Sequence, residues 1–311
     1  MFPGACGRRF APGGRLGEAD GMRPILRPGT HVLTRGTGEL QVGLDPRSAL
    51  VLPDSAEVRR ALALLVVSAD RAEHTDPTTL DLLVQHDLVL DESALVPALG
   101  RTDITAATSA ALARTAGPEA PARRTARGDF FTDVVGFGHP AGASLPDDLA
   151  DLVGAVGLPR PAPRDGLSAA VLVGVGEPDR ELVDPWTRSG TPYLVVRLTE
   201  GRAVLGPFVA PGRTACLRCI DAHHTDADPA WPLLVRQYAA ACTRDRADGA
   251  PEPVDPLLAG LAVAWAARDL VAYVDGGRPS TWSTTVTFDA RPGRLETQAW
   301  LRHPGCGCSW D

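Results

Sequence analysis

Four of the six cysteines fall in two close pairs. Cys216 and Cys219 form a Cys-x-x-Cys within PGRTACLRC (211–219), and Cys306 and Cys308 form a Cys-x-Cys within HPGCGCSWD (303–311). Thiolates are soft ligands, and two such pairs far apart in sequence match the donor set of a closed tetrahedral zinc site. Four protein ligands leave no position for water. Zn2+ held this way is structural, tying the C-terminal segment to the body of the protein and contributing folding free energy. A redox pair is the competing reading, but a thioredoxin-like Cys-x-x-Cys opens a helix after a strand without a second pair. His303 is an alternative fourth ligand. His223 and His224 lie near Cys219, either supporting the ligands from outside or as plain surface residues. Cys6 and Cys242 read as unpaired or buried thiols.

A second chemical signal is GFGHPAG, in which Gly136, Gly138 and Gly142 outline a nucleotide-binding turn between a strand-like run (Phe130–Val135) and a helix (Asp147–Val156). The loop is degenerate. Pro140 removes one N–H from the cradle, and no acidic residue ends a clear second strand to hold a ribose, since 158–164 (LPRPAPR) is too Pro-rich for a central strand. The chain has no G-x-S-x-G, H-E-x-x-H or G-x-x-x-x-G-K-[ST] motif. Asp147 and Asp148 read as helix-start residues.

Positioning these groups needs an α/β body. Ala169–Val175 is a buried strand, Asp179–Ser189 is helical, and Pro192–Leu198 and Arg202–Val209 are further strands. Asp221–Cys242 is helical in two pieces broken at Asp228-Pro229. Asp255–Val274 is the longest helix, stopped by Gly276-Gly277. Trp282–Asp289 and Leu295–Leu301 pair as antiparallel strands leading into the last cysteines. Strand–helix alternation at this spacing reads as an open α/β sheet.

Upstream lies a smaller module. His31–Arg35 and Glu39–Leu44 flank a three-residue glycine turn, and Ser48–Leu52 forms a third strand. One helix follows Pro53, with Val58, Leu62, Leu65 and Val66 apolar. A second follows Pro77, with Leu80, Leu83 and Val84 apolar, and leads into a wing strand at Leu88–Leu90. This outline is winged-helix-like, yet Thr78–Asp87 contains no Lys or Arg and two Asp, so it is not built to face phosphates. The use that remains is to receive a peptide by strand addition along an exposed edge beside a helix. The expected organisation is a disordered tail (1–22), this recognition domain (23–116), a Pro/Ala/Arg-rich linker (117–128) and the α/β domain (129–311).

The chain has 311 residues, 44% of them hydrophobic, enough for roughly two domains. A net charge of −7 without a basic run argues against nucleic acid. No apolar stretch approaches the ~20 residues of a membrane span and no signal peptide is evident, so a cytoplasmic protein is expected.

Gly206–Gln237 (GPFVAPGRTACLRCIDAHHTDADPAWPLLVRQ) with the terminal HPGCGC resembles the ThiF-like, ubiquitin-activating-type proteins of ribosomal-peptide biosynthesis. RPGTHVLTRGTGELQVGLDPRSALVL resembles their leader-peptide recognition module. The resemblance covers about Arg23–Asp311. It implies a partner of azole/azoline-forming YcaO-type cyclodehydratases, which binds the leader of a precursor peptide and presents its core, with structural Zn2+ and a possible homodimer through the Asp255–Val274 helix. The peptide would lie against Ser48, Ala49, Leu50, Val51 and Leu52 and against Thr79, Leu82, Leu83 and His86. Adenylating members need an intact glycine loop, so no catalytic residue is assigned here. The alternative is an ATP-dependent adenylating enzyme acting on a peptide carboxylate or amide.

Overall fold

The computed structural model describes residues 23–36, 38–67, 76–95, 104–159, 166–291 and 293–309. The expected N-terminal tail, Cys6 and most of the Pro-rich stretch 158–164 lie outside them. The chain divides into two compact units, each with its own core.

The first unit opens with β1 (Pro24–Leu26), too short to stand out in sequence. It pairs antiparallel with β5 (Val89–Asp91), the expected wing strand. Between them β2 (Val32–Thr34), β3 (Glu39–Val42) and β4 (Leu50–Pro53) form an antiparallel sheet in the order β2-β3-β4. β4 alternates buried and exposed residues, so Leu50 and Leu52 point into the core and Val51 points out. Ser48 and Ala49 do not belong to the strand. Both donate their backbone N–H to the Asp45 carbonyl, which makes them the end of the preceding turn.

Helices α1 (Ala56–Val67) and α2 (Pro77–Gln85) close the core with Val58, Leu62, Leu65 and Leu83. Asp76 caps α2 by accepting from the Thr79 N–H at 2.9 Å and from its hydroxyl at 2.8 Å. Ala113–Pro118 also groups with this unit, where Arg114 donates to the Pro28 carbonyl.

The second unit is built on a six-stranded mixed sheet in the order β11-β10-β9-β8-β7-β6. Its strands are β6 (Thr132–Gly138), β7 (Ala169–Val175), β8 (Tyr193–Thr199), β9 (Arg202–Val209), β10 (Thr284–Asp289) and β11 (Leu295–Ala299). The first three run parallel and the rest pair antiparallel. Every residue of β7 is buried, as both faces of the sheet are covered. One face packs against α5 (Leu145–Ala155) and α9 (Pro256–Val274), and the other against α6 (Asp184–Ser189) and α7 (Leu217–Ala227).

Two expectations need correction. The stretch 117–128, expected as a linker, contains the division between the units after Pro118 but is helical. After α3 (Ala106–Ala116) and a 3-10 turn at Gly117–Glu119, α4 runs from Ala120 to Gly128. Two of its three arginines, Arg124 and Arg127, are buried rather than solvated. Arg127 forms a bidentate pair with Asp275 at 2.8 and 2.6 Å and also donates to the Val156 carbonyl. Composition suggested a linker because it cannot reveal that an arginine has a buried partner. The second correction concerns α9. At 19 residues it is long and apolar enough to cross a membrane by composition alone, and half of its most apolar window is buried in the protein. Asp269 in its middle accepts four hydrogen bonds from Ser280 and Thr281. Those bonds suit a core helix.

The side chains of Arg127 and Asp275 are each 8% exposed. Removing one partner strands the other as a buried charge. Asp275→Ala is therefore expected to lower stability by about 3–5 kcal/mol in urea unfolding, whereas a surface change such as Glu296→Ala stays within about 0.5 kcal/mol.

Candidate metal centre and adjoining cleft

The two cysteine pairs converge. β9 ends at Val209, and Ala210–Ala215 turns into α7. In that turn the Thr214 hydroxyl accepts from the Ala210 N–H at 2.8 Å, and the Ala215 N–H donates to the Ser283 hydroxyl at 2.9 Å. Cys216 sits at the N-cap in extended conformation and Cys219 lies one turn on, so both sulfurs are at the positive end of the α7 dipole. From the other side, β11 delivers Trp300. Its indole N–H donates to Thr285, and its carbonyl accepts from Ser283. Ser283 thus holds the loops that carry both pairs.

Sγ of Cys216 lies 3.8 Å from Cys219 and 3.6 Å from Cys306, and Sγ of Cys219 lies 3.4 Å from Cys308. A tetrahedral zinc with bonds of ~2.3 Å needs sulfurs roughly 3.8 Å apart, close to this spacing. Three of the four cysteines are buried. These four residues fit a divalent metal such as zinc in number, softness and separation. His303 is not among the four donors, as its ring faces Asp226. Cys242 lies apart, against Gly176, where any Cβ would collide with it.

Three of the thiols, Cys216, Cys219 and Cys308, are shifted by one another and by burial. The hydrogen bond from Cys216 holds Cys219 down to about 4. That same bond, then burial, pushes Cys216 up. Burial pushes Cys308 up to about 12. Beside a Cys219 thiolate, Cys216 and Cys308 resist ionising, because like charges crowd in a desolvated space.

The glycine loop meets the sheet differently from its expected form. Gly136 and Gly138 belong to β6 itself, so the strand runs three residues past Val135. Gly138 takes φ +79, and a Cβ there would stand 1.8 Å from the Val175 carbonyl oxygen. Beyond it, His139 donates its N–H to the Val175 carbonyl, Ala141 donates to His139 Nδ1, Gly142 to the His139 carbonyl and Ala143 to the Pro140 carbonyl. Pro140 has none to give. Every backbone donor from His139 to Ala143 is thus committed within the protein, and α5 begins with Asp147 and Asp148 in its first turn. Free amides and a helix terminus open to negative charge are what a phosphate site requires.

A cavity of about 570 Å³ lies near this loop, at the carboxyl ends of β6 and β7. Its wall is formed by residues of α8 (Trp231–Ala241), a helix with no buried residue. The sequence reading missed the ion network beneath it. Arg180 pairs bidentately with Asp221 and with Glu177, Glu177 also binds Arg197, and the Trp231 indole donates to Asp221. Glu177 is an acidic residue just after β7, the parallel neighbour of β6, contrary to the expectation that none stands there. It is occupied by arginines. Nothing in the sequence tied Glu177 to Arg197, which only the β7–β8 register brings together.

Of the residues expected to meet a peptide, Leu50, Val51 and Leu52 lie on β4. Leu83 is fully buried and Thr79 is 3% exposed, so both support the α2 face from within. Leu82 is half-buried and His86 is exposed.

No protein-family model matches the chain, and no curated protein matches its sequence. Solved structures share the fold. The heterocyclase TruD superposes with a TM-score of 0.63 at 14% identity over 93% of this chain. A heterocyclase in complex with substrate and cofactor gives 0.62 at 16% identity over 92%. E. coli MccB solved with ATP gives 0.58 at 12% identity, with 93% of this chain covering 100% of MccB. The chain spans only 43% and 39% of the two heterocyclase chains.

A chelator that strips a bound metal is expected to lower the melting temperature by about 5–10 °C, and Cys306→Ser to do the same without chelator. Because Cys216 and Cys308 have raised affinities for protons, a metal must displace those protons. Affinity is therefore expected to rise with pH and to fall roughly tenfold per pH unit for each proton released, measured by zinc competition between pH 8 and 6.

Proposed function

We propose that this protein captures the leader of a ribosomally made precursor peptide by strand addition at β4 and presents the core to a YcaO-type ATP-dependent cyclodehydratase. The first unit, winged-helix-like, is the recognition module. The second, ThiF-like, is a scaffold closed by zinc, and the whole acts in the cytoplasm without a reaction of its own. The observation that carries this reading is the position of β4. Among the described residues it pairs with β3 on one side only, so its outer edge offers unpaired backbone groups, while Leu50 and Leu52 share a core with Leu83 of α2. Likeness of fold to a heterocyclase structure containing a substrate, and to MccB solved with MccA, supports a peptide-handling role. The outward residues Leu257 and Leu261 of α9 would serve self-association.

The second reading is adenylation, favoured by the cavity beside the glycine loop and by MccB solved with ATP. Three features weigh against it. The loop donors are committed, and Arg180 and Arg218 are held by carboxylates. In addition, β6 stands at the sheet edge, whereas in a doubly wound nucleotide fold the glycine-turn strand has neighbours on both sides.

Fluorescence titration with the leader encoded nearby is expected to give binding in the micromolar range or tighter. Val51→Asp should weaken it by at least about tenfold, while Leu33→Asp on the opposite edge strand leaves it unchanged. No binding at tens of micromolar sinks the reading. ATP–pyrophosphate exchange by the protein alone is expected to stay at background, and a clear signal selects the second reading.

A further inference from the structure

The C-terminal cysteine pair sits on a turn and one short 3-10 helix, Gly307–Ser309, and one cluster of polar side chains outside the four thiols holds it. His223, Asp226 and His303 bring their ligand-type atoms within 4.8 Å of one another. His223 and Asp226 are on α7, the helix whose first turn carries Cys216 and Cys219. His303 precedes Cys306 by three residues.

The hydrogen bonds fix the state of each ring. The Gly305 N–H donates to His303 Nδ1 at 3.0 Å, so Nδ1 is unprotonated and Nε2 carries the proton. That Nε2–H donates to Asp226 Oδ2 at 2.9 Å. Nε2 of His223 is 2.9 Å from the Leu301 carbonyl, which can only accept, so it too carries a proton. The two rings meet edge to face at 4.8 Å between centroids. Neither Nε2 has a lone pair to offer, so the cluster as built is a set of hydrogen bonds rather than a second metal site.

His303 also shapes the turn that presents the thiols. Its carbonyl accepts from the Cys306 N–H at 3.0 Å, and its backbone N–H is directed at the Cys219 sulfur. A Cβ at Gly305 would come within 3.2 Å of the imidazole, so a residue without one lets this backbone approach the ring. The guanidinium of Arg302 grips the Gly212 carbonyl in the loop before the first pair.

We propose that His303, with Asp226 and His223, is a positioning clasp for the metal centre. Through it α7 supplies two ligands from its first turn and, one to two turns later, sets the turn that brings in the other two. The clasp rests on the reading that the cysteine cluster binds metal, and it acts by holding Cys306 and Cys308 where a tetrahedral ion needs them. Groups that orient ligands from outside the coordination sphere typically alter metal affinity by 10–100-fold.

The test is competition of metal-free protein with a chromogenic chelator for Zn2+, paired with the absorption of the Co2+ form. Wild type is expected to bind one equivalent. His303→Ala should weaken zinc about 10- to 100-fold, and Asp226→Ala should fall at the lower end because that carboxylate is exposed. Asp226→Asn keeps an acceptor and should stay within about threefold of wild type. The Co2+ spectra of all variants should retain the tetrathiolate charge-transfer band, and the metal-free variants should melt with metal-free wild type. Unchanged affinity in His303→Ala overturns the clasp alone, and wild type that binds no zinc overturns the metal reading beneath it. Two equivalents per chain, loss of the band in His303→Ala, or an equal loss of stability in the metal-free state would each show a different role and overturn the proposal.

Discussion

One face of the sheet in the second unit is closed over a small space that holds four sulfurs from two distant segments. Cys216 and Cys306 are 90 residues apart yet 3.6 Å distant. Buried thiols at that separation cannot all ionise without a cation. The space is satisfied when the sheet, α7 and the C-terminal turn are all in place. That constraint explains why polar side chains otherwise hard to account for, Ser283, Thr285 and Thr214, are buried or half-buried between β9, β10 and β11. They fix the two loops that carry the ligands.

The same unit uses up the groups that a nucleotide would need. An open α/β sheet ordinarily binds ligands at the carboxyl ends of its parallel strands, because loop amides and a helix terminus point there. Here a cavity lies at that place, but the amides beside it are turned inward and two of its arginines, Arg180 and Arg218, are paired with carboxylates. β6, the strand that leads into the loop, is a sheet edge. In the first unit the opposite holds. A small sheet keeps an edge strand whose outer backbone groups find no strand partner among the described residues, and unpaired backbone is the most general means of recognising an extended chain.

Much of this was legible in the residues. The 2-residue alternation around Leu40–Val42 and Leu50–Leu52, the buried run Ala169–Val175 and the 19-residue α9 came from local periodicity, which needs no knowledge of the rest of the chain. Elements whose stability is tertiary were hidden. β1 is three residues that exist as a strand because β5 pairs with them, and α4 is a helix whose buried arginines find Asp275 some 150 residues later. Ser48 and Ala49 looked like strand because side-chain pattern cannot show that both N–H groups have turned back to Asp45.

By itself, then, the sequence determined the donor set. Two cysteine pairs of that type and spacing supply four soft donors that could hold a metal, and Pro140 with the Pro-rich stretch after it weakens a phosphate cradle wherever the loop ends up. The tertiary structure decided the rest: that the four sulfurs meet at metal-ligand spacing, that His303 turns to Asp226 instead of joining them, and that β4 and β6 stand at sheet edges. The reason is physical. Ligand type and backbone donor count belong to single residues, whereas distance, burial and the pairing of a strand's outer edge depend on segments that only folding brings together.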